Sequence, residues 1–317
     1  MNFDDDERLS TLADTIFGPF PQPTLGQLSD LPLFDSPVFP NLGILQTVPP
    51  PPPTEEQRLL TKLEAADADF RSLLSPGFDV EVTETKFVPE PDDSALTFAN
   101  AREERIRCKL IRTCVLYVDM RNSTSLSAHT NPIHLAKIYS AYLNAMIDAS
   151  QHFGGKVRGI VGDRVMVLFD SDDCFRNSIV TAYHLNTLGN VHLSYYQPGF
   201  SCGIGIDYGD MLVTKVGEPR RGVNRDLHRS LTWLGNPANM ASKLTDIAGT
   251  VAHPTADSLA TPRRYQPILA SERVLFGFRN AYPYDQSVKI HLWQSYFNDS
   301  VFGTNLYFSA IDKVIPK

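Results

Sequence analysis

The spacing of hydrophobic residues changes along the chain, and the first clear pattern is helical. Between residues 54 and 75 the apolar side chains recur three or four residues apart, until Pro76-Gly77 stops the pattern. The residues of this apolar face are Leu59, Leu60, Leu63, Ala66, Phe70, Leu73 and Leu74. We expect an amphipathic helix that packs on the core of the domain, with a dimer contact as the alternative use of the same face.

From about residue 111, short β-prone runs alternate with longer helical stretches. Strands are predicted over residues 114–118, 156–161, 165–169 and 200–208, and helices over 131–152 and 172–189. The Gly209-Asp210 pair predicts a turn from 200–208 into a strand at 211–216, and a further helix is predicted over 236–247. The order β-α-β-β-α-β is that of a split βαβ unit, so the predicted fold class is α+β with a ferredoxin-like βαββαβ domain.

Prolines are concentrated before this region. Of the 23 prolines, 14 lie in the first 100 residues, and five of them form the run Pro49 to Pro53. A segment that lacks backbone donors and apolar periodicity predicts a flexible, polyproline-like arm over residues 1–53. The predicted organisation is therefore this leader, an amphipathic helix with a lead-in segment over 54–110, and a main domain over 111–317.

The composition indicates an ordinary globular protein without a general affinity for polyanions. The net charge of −7 and the pI near 5.6 argue against nucleic acid and anionic lipid surfaces as partners. No apolar stretch reaches the roughly 18–20 residues of a membrane span, and the acidic N-terminus does not resemble a signal peptide. The four cysteines form no CxxC pair, and these features together predict a cytoplasmic protein.

Two aspartates stand at positions that the predicted fold is able to bring together. Asp119 ends a hydrophobic strand, and Asp163 lies at the tip of the hairpin over 156–169. Adjacent carboxylates repel each other unless a cation separates them, and oxygen ligands favour magnesium or manganese over zinc. The alternative is structural: Asp119 caps the next helix and Asp163 makes a turn.

The turn after Asp119 carries Asn122, Ser123 and Thr124, which suit phosphate oxygens although the P-loop pattern is absent. Gly203 and Gly205 resemble a dinucleotide fingerprint only superficially, because a turn rather than a helix is predicted after them. The sequence contains neither an HExxH motif nor a Gly-x-Ser-x-Gly elbow, so zinc hydrolase and serine-triad chemistry have no support.

Four segments, in the same order, resemble the motifs of class III adenylate and guanylate cyclases. They are YVDMRNST at 117–124, GGKVRGIVGDRVMVLF at 154–169, the glycine-containing segment 203–217, and LGNPANMASKL at 234–244. Any one of them alone is weak, but four in order form a specific match. The resemblance implies that residues 111–317 form a nucleotidyl cyclase catalytic domain.

The resemblance also implies residue roles and a homodimer with active sites at its interface. Asp119 and Asp163 match the ligands of two Mg²⁺ or Mn²⁺ ions, and the backbone carbonyl of Met120 matches a further ligand. From the other subunit, Asn239 matches the residue that orients the ribose, and Lys243 replaces the arginine that stabilises the α-phosphate. The implied reaction is attack of the ribose 3′-hydroxyl on that phosphate, which releases pyrophosphate and a 3′,5′-cyclic nucleotide.

Several positions that contact the nucleotide base in the family depart from the family pattern in this chain. The base-reading lysine or glutamate is replaced by Gly159, and its partner position is Thr232. The small residue after the hairpin aspartate is replaced by Arg164, whose fork of donors suits the carbonyl edge of a pyrimidine. Tyr117 is placed to stack on the ring or to hydrogen-bond it. The alternatives are a surface salt bridge for Arg164 and core packing for Tyr117.

With these departures, the chain most resembles the pyrimidine cyclases of bacterial anti-phage (Pycsar) systems. We expect UTP as substrate, with CTP next, and a separate cyclic-nucleotide-binding effector that reads the product. Arg229, which precedes the Asn239 motif with imperfect spacing, is a further candidate for binding phosphate. The alternatives are an adenylate cyclase with a rebuilt base pocket and a non-catalytic nucleotide-binding signalling module.

Overall fold

The structure is a computed structural model, and it describes residues 52–98, 105–216, 230–252, 263–286 and 288–315. Almost all of the predicted leader, 1–53, lies outside these residues. The segment Glu55–Lys317 forms one compact unit. Its helices are α1 Glu55–Leu73, α2 Ser123–His129, α3 Pro132–His152, α4 Cys174–Asn186, α5 Asn236–Ile247 and α6 Glu272–Ala281. Its strands are β1 Asp79–Thr85, β2 Arg105–Met120, β3 Lys156–Val161, β4 Arg164–Leu168, β5 Cys202–Val216, β6 Ser230–Leu234, β7 Val251–Ala252, β8 Arg263–Arg264, β9 Ile268–Ser271, β10 Gln294–Tyr296 and β11 Val301–Thr304.

One sheet of nine strands organises the described part of this unit. Its order is β10-β11-β9-β5-β2-β4-β3, with β1 added beside β2 and β6 beside β5. The four strands β5-β2-β4-β3, linked by α3 and α4, have the order of a ferredoxin-like domain. The predicted fold class is therefore confirmed. The long pairing of β2 with β5, from Lys109 opposite Val213 to Met120 opposite Cys202, fixes the register at the centre.

Helices cover both faces of the sheet. On one face, α3, α4 and α6 bury the larger core, to which Tyr142, Ile179 and Phe278 contribute. On the other face, α5 packs Ala238 and Ala241 against side chains of β2, β4 and β5. The side chains of β2 alternate between these two cores, because successive residues of a strand point to opposite faces.

The predicted turn at Gly209-Asp210 is wrong. The segment Cys202–Val216 is one continuous strand, and Gly209 and Asp210 pair with Thr113 and Arg112 of β2. Asp210 also forms a two-pronged ion pair with Arg112, at 2.6 and 2.9 Å. A long partner strand therefore outweighs the local turn preference of a Gly-Asp pair. The strand that turns back on β5 is β6, which pairs with residues 212–216.

The expectation that the first helix packs on the core is also wrong. Helix α1 has no buried residue, and side chains of its apolar stripe such as Leu63 and Phe70 are 58% and 62% exposed. Helices α3, α4, α5 and α6 already bury the apolar side chains of the two cores on the faces of the sheet. Among the described residues, no helix combines the length and the apolar character that crossing a bilayer requires.

Candidate active site

The two predicted aspartates lie at the adjacent ends of β2 and β4, where Val118 pairs with Val165. Asp119 is the penultimate residue of β2, and Asp163 lies in the tight turn between β3 and β4. Both carboxylates lie close enough to Tyr142 of α3 to act on its hydroxyl. Burial raises the pKa of this tyrosine well above its usual value, and the charges of Cys202, Asp119 and Asp163 add to the effect. The fold thus brings two carboxylates from separate elements close to each other.

The two carboxylates differ in their partners. Oδ2 of Asp119 accepts a hydrogen bond of 2.7 Å from Arg164. Oδ2 of Asp163 is buried and has no hydrogen-bond partner among the described residues, and the hydroxyl of Tyr142 is in the same condition. A buried carboxylate oxygen without a donor is costly, and native structures retain such groups where a ligand or ion completes them.

Arg164, the first residue of β4, connects the hairpin tip to helix α5. Its Nη1 donates to Oγ of Ser242 at 2.8 Å, and its Nη2 donates to Asp119 and, at 2.5 Å, to Asp246. Burial lowers the pKa of Arg164, but the bonds to Asp119 and Asp246 outweigh it and raise the pKa overall. The predicted alternative of a surface salt bridge describes the pair with the exposed Asp246, whereas the pair with Asp119 is largely buried, so Arg164 is shared between an exposed and a buried carboxylate.

Tyr117 lies on the same face of β2 and within reach of Arg164. Its ring is half-buried against the core beneath α5, and its backbone carbonyl accepts a hydrogen bond from Thr245. Burial raises the pKa of Tyr117, and the positive charge of Arg164 opposes the rise. The structure therefore brings together Tyr117, Asp119 and Arg164, as the sequence predicted.

Arg121 is a site residue that the sequence did not single out. Its guanidinium donates to the carbonyls of Thr245 and Asp246 at the carboxyl end of α5, where a cation is favourable. Burial lowers the pKa of Arg121, and the nearby Asp119 opposes this. The partners of Arg121 are backbone atoms of residues more than a hundred positions later in the sequence, and no local sequence pattern predicts such a contact.

Two glycines of β5 let α5 lie directly on the strand. A Cβ at Gly205 would stand 2.3 Å from the carbonyl oxygen of Ala241 and 2.5 Å from the amide nitrogen of Thr245. A Cβ at Gly203 would overlap the guanidinium of Arg121. The Gly-x-Gly pattern therefore serves close packing of helix on strand, which explains its presence without a dinucleotide.

The predicted ribose and phosphate residues point away from this cluster. Helix α5 turns its alanines and Leu244 inward, so Asn239 and Lys243 lie on its exposed face. Thr232 of β6 is farther away, because it pairs with Thr214, nine residues along β5 from the residue opposite Tyr117. At about 3.4 Å per residue, that is roughly 30 Å. A single chain does not bring Thr232 to Tyr117.

The remaining candidates lie around the end of β2. The side chain of Met120 is buried in the core, so only its backbone is available to a ligand. Asn122 is exposed in the left-handed conformation and makes no capping hydrogen bond to α2, and Ser123 and Thr124 begin that helix. Arg229 lies outside the described residues.

Comparisons with known proteins decide the family. A uridylate cyclase from Burkholderia cepacia is 30% identical over 187 residues, which span 56% of this chain and 75% of that enzyme. Another, from Xanthomonas perforans, is 31% identical over 183 residues, 55% of this chain and 73% of the enzyme. The chain belongs to this family of nucleotidyl cyclases. The crystal structure of the adenylyl cyclase CyaB from P. aeruginosa is 20% identical, with a TM-score of 0.43 over 55% of this chain and 83% of that one. No protein-family model matches the sequence.

The residues of this nucleotidyl cyclase fit a divalent cation. Asp119 and Asp163 offer carboxylate oxygens, and the unpartnered Oδ2 of Asp163 is a vacant acceptor in a buried position. Among the described residues there is no group of three or more His, Cys, Asp or Glu side chains that would enclose a metal by itself. Such an incomplete set is typical of Mg²⁺ sites, which substrate phosphates and water complete.

Proposed function

We propose that the chain converts UTP, and less readily CTP, to the 3′,5′-cyclic monophosphate and pyrophosphate. The observation that carries this proposal is the position of Arg164, whose guanidinium lies beside Tyr117 and Asp119. Three of its five N–H donors are directed at Ser242, Asp119 and Asp246, which leaves two for a further acceptor. Uracil presents two carbonyl acceptors, whereas adenine presents none. The uridylate cyclases among the relatives support the same substrate.

In this proposal Asp119, Asp163 and the carbonyl of Met120 hold two Mg²⁺ or Mn²⁺ ions. Bound there, the ions would favour deprotonation of the ribose 3′-hydroxyl and neutralise the triphosphate. Asn122, Ser123 and Thr124 border the end of β2 and are assigned to the phosphates, together with Arg229. Tyr117 stacks on the pyrimidine ring or hydrogen-bonds it, and Arg164 selects its carbonyl edge. Alignment and charge neutralisation supply most of the catalysis.

The remaining residues require a second copy of the chain. Asn239 and Lys243 lie on the exposed face of α5, and Thr232 is roughly 30 Å along the sheet from Tyr117. We therefore propose a homodimer in which one subunit supplies Asp119 and Asp163 and the other supplies Thr232, Asn239 and Lys243. There Asn239 orients the ribose, and Lys243 stabilises charge on the α-phosphate as a point charge.

The proposed biological role is that of a signal generator in anti-phage defence of the Pycsar type. The protein would act in the cytoplasm, where nucleoside triphosphates are present, and a separate effector would bind the cyclic pyrimidine nucleotide. This role rests on the relation to the pyrimidine cyclases.

A nucleotide panel tests the proposal. The full chain is incubated separately with UTP, CTP, ATP and GTP in the presence of Mn²⁺, and the products are separated by chromatography. We expect cyclic UMP as the main product, and its loss in Asp119→Ala and in Asp163→Ala. Cyclisation of ATP alone would identify an adenylate cyclase instead. Absence of pyrophosphate release from all four nucleotides would identify a non-catalytic binding module.

A further inference from the structure

Arg164 is hydrogen-bonded to one of the two carboxylate oxygens of Asp119, a predicted metal ligand. Its Nη2 lies 2.7 Å from Oδ2 of Asp119, whose side chain is 16% exposed, and the same nitrogen lies 2.5 Å from Asp246. Asp246 is on α5, one turn after Ser242, which holds Nη1 of the same guanidinium. The arginine is thus held from two sides, by a predicted metal ligand and by a helix that carries no predicted metal ligand.

We propose that Arg164 is an internal counter-cation of Asp119 and that Asp246 and Ser242 are the positioning residues that receive it when Asp119 binds a divalent ion. The inference rests on the proposed function for the assignment of Asp119 as a metal ligand. It adds a role for Asp246 and Ser242. It also means that metal binding at Asp119 and the orientation of Arg164 depend on each other.

The charges around the site support this exchange. The guanidinium neutralises Asp119 without satisfying Oδ2 of Asp163, so the site as described has one paired and one unpaired carboxylate. A divalent ion and Arg164 compete for Asp119, because Oδ2 of Asp119 is not available to the ion while it accepts a hydrogen bond from the arginine. Asp246 is 54% exposed and remains available as an acceptor, so Arg164 retains one carboxylate and one hydroxyl partner after it leaves Asp119.

The exchange has a consequence for the base. While Arg164 is bound to Asp119, one Nη2 donor is directed at the metal ligand. When Arg164 is held only by Asp246 and Ser242, that donor becomes available to the carbonyl of a pyrimidine in addition to the two donors that its three hydrogen bonds leave. Base reading is therefore expected to depend on metal loading, with α5 as the element that holds the arginine in place.

Direct binding of Mn²⁺ to the nucleotide-free full chain tests the competition without relying on activity. Arg164→Met removes the guanidinium but keeps an unbranched stem, and we expect Mn²⁺ to bind about twofold to fivefold more tightly. Asp246→Asn removes the second carboxylate, leaves Arg164 more fully on Asp119, and is expected to weaken binding by about threefold. Arg112→Ala is the matched control, since it breaks another arginine–aspartate pair on β2, seven residues and roughly 23 Å from Asp119.

The double variant separates the positioning role from a general effect of charge. If Asp246 acts through Arg164, Asp246→Asn changes nothing when Arg164 is already Met. If Asp246→Asn causes the same loss of Mn²⁺ affinity when Arg164 is already Met, Asp246 acts only through the electrostatic effect of its charge, and the positioning role is refuted. Should Arg164→Met fail to fold, Arg164→Lys replaces it, because a single ammonium cannot reach all three acceptors and Mn²⁺ should again bind more tightly than to the wild type.

The outcomes are independent of the nucleotide panel. Equal Mn²⁺ affinity in the wild type and Arg164→Met, or no detectable binding in either, overturns the counter-cation even if cyclic UMP is formed. Tighter binding in Arg164→Met together with a chain that cyclises no nucleotide supports the counter-cation and overturns the proposed function instead.

Discussion

The contact between Gly205 and helix α5 predicts a large effect from a single methyl group. In Gly205→Ala, the new Cβ would lie 2.3 Å from the carbonyl oxygen of Ala241, whereas ordinary contact begins at 3.4 Å. The difference, 3.4 − 2.3 Å, requires a shift of 1.1 Å between strand and helix. The two nearest of the clashing atoms belong to the backbone of α5, so side-chain rotation alone does not relieve the overlap.

Both stability and turnover should respond to this shift. Overpacking of a well-packed core typically costs about 1–3 kcal/mol of unfolding free energy. Helix α5 carries Asn239 and Lys243, and a displacement of about 1 Å at residues that align a reacting group can reduce turnover by about 100-fold. We therefore expect Gly205→Ala to remain folded, to unfold at a lower temperature, and to lose most of its nucleotide cyclase activity.

The assay combines thermal unfolding with pyrophosphate release from UTP under saturating Mn²⁺. Gly77→Ala is the control, because the nearest atom to its new Cβ is the hydroxyl of Ser75 at 3.8 Å, an ordinary contact. We expect the control to match the wild type in both measurements. Wild-type turnover and an unchanged unfolding temperature in Gly205→Ala would show that α5 does not lie on β5 as described, and the reasoning would fail.

Two further predictions follow from buried groups. Asp163→Asn should abolish cyclisation and raise the unfolding midpoint of the metal-free chain by about 2–4 °C, since it removes the charge of a carboxylate whose Oδ2 is buried without a partner among the described residues. A lower midpoint in differential scanning fluorimetry would contradict the assigned environment. Burial raises the pKa of Cys202 to about 12, and Cys108, Cys114 and Cys174 are buried as well. At pH 8 the Cys202 thiol therefore stays protonated, and because all four thiols are buried, a disulfide reagent should label them only after denaturation, so that rapid labelling of the native chain would refute their burial.

The proximity of Asp119 and Asp163 was predictable from the sequence because it follows from the order of the strands in the sheet. In a βαββαβ sheet the first strand lies beside the second strand of the following hairpin, as β2 lies beside β4. The end of one strand and the tip of the hairpin are then neighbours whatever the intervening helix contains. Hydrophobic spacing and order predict this proximity, whereas the role of the two carboxylates as metal ligands came from the motif resemblance and stays a prediction.

Other features depend on contacts that no short segment encodes. The Gly209-Asp210 pair has the composition of a turn, yet β2 and Arg112 hold it in an extended strand. Helix α1 has the amphipathic pattern of a core helix, but the faces of the sheet are occupied. The roles of Arg121 and Asp246 depend on where α5 lies relative to the ends of β2 and β4, and sequence spacing does not specify that position.

Three separate contacts fix α5 relative to the carboxylates. Gly205 sets its distance from β5, Arg121 binds its last carbonyls, and Arg164 joins it to Asp119. A helix held in this way presents its outer face, with Asn239 and Lys243, at a fixed distance from the predicted metal ligands of its own chain. In a two-fold dimer each contact is made twice, because the residues that one subunit offers to its partner are offered back by symmetry. The same three contacts therefore determine both halves of each proposed site, and a perturbation of one of them should reduce turnover at two sites simultaneously.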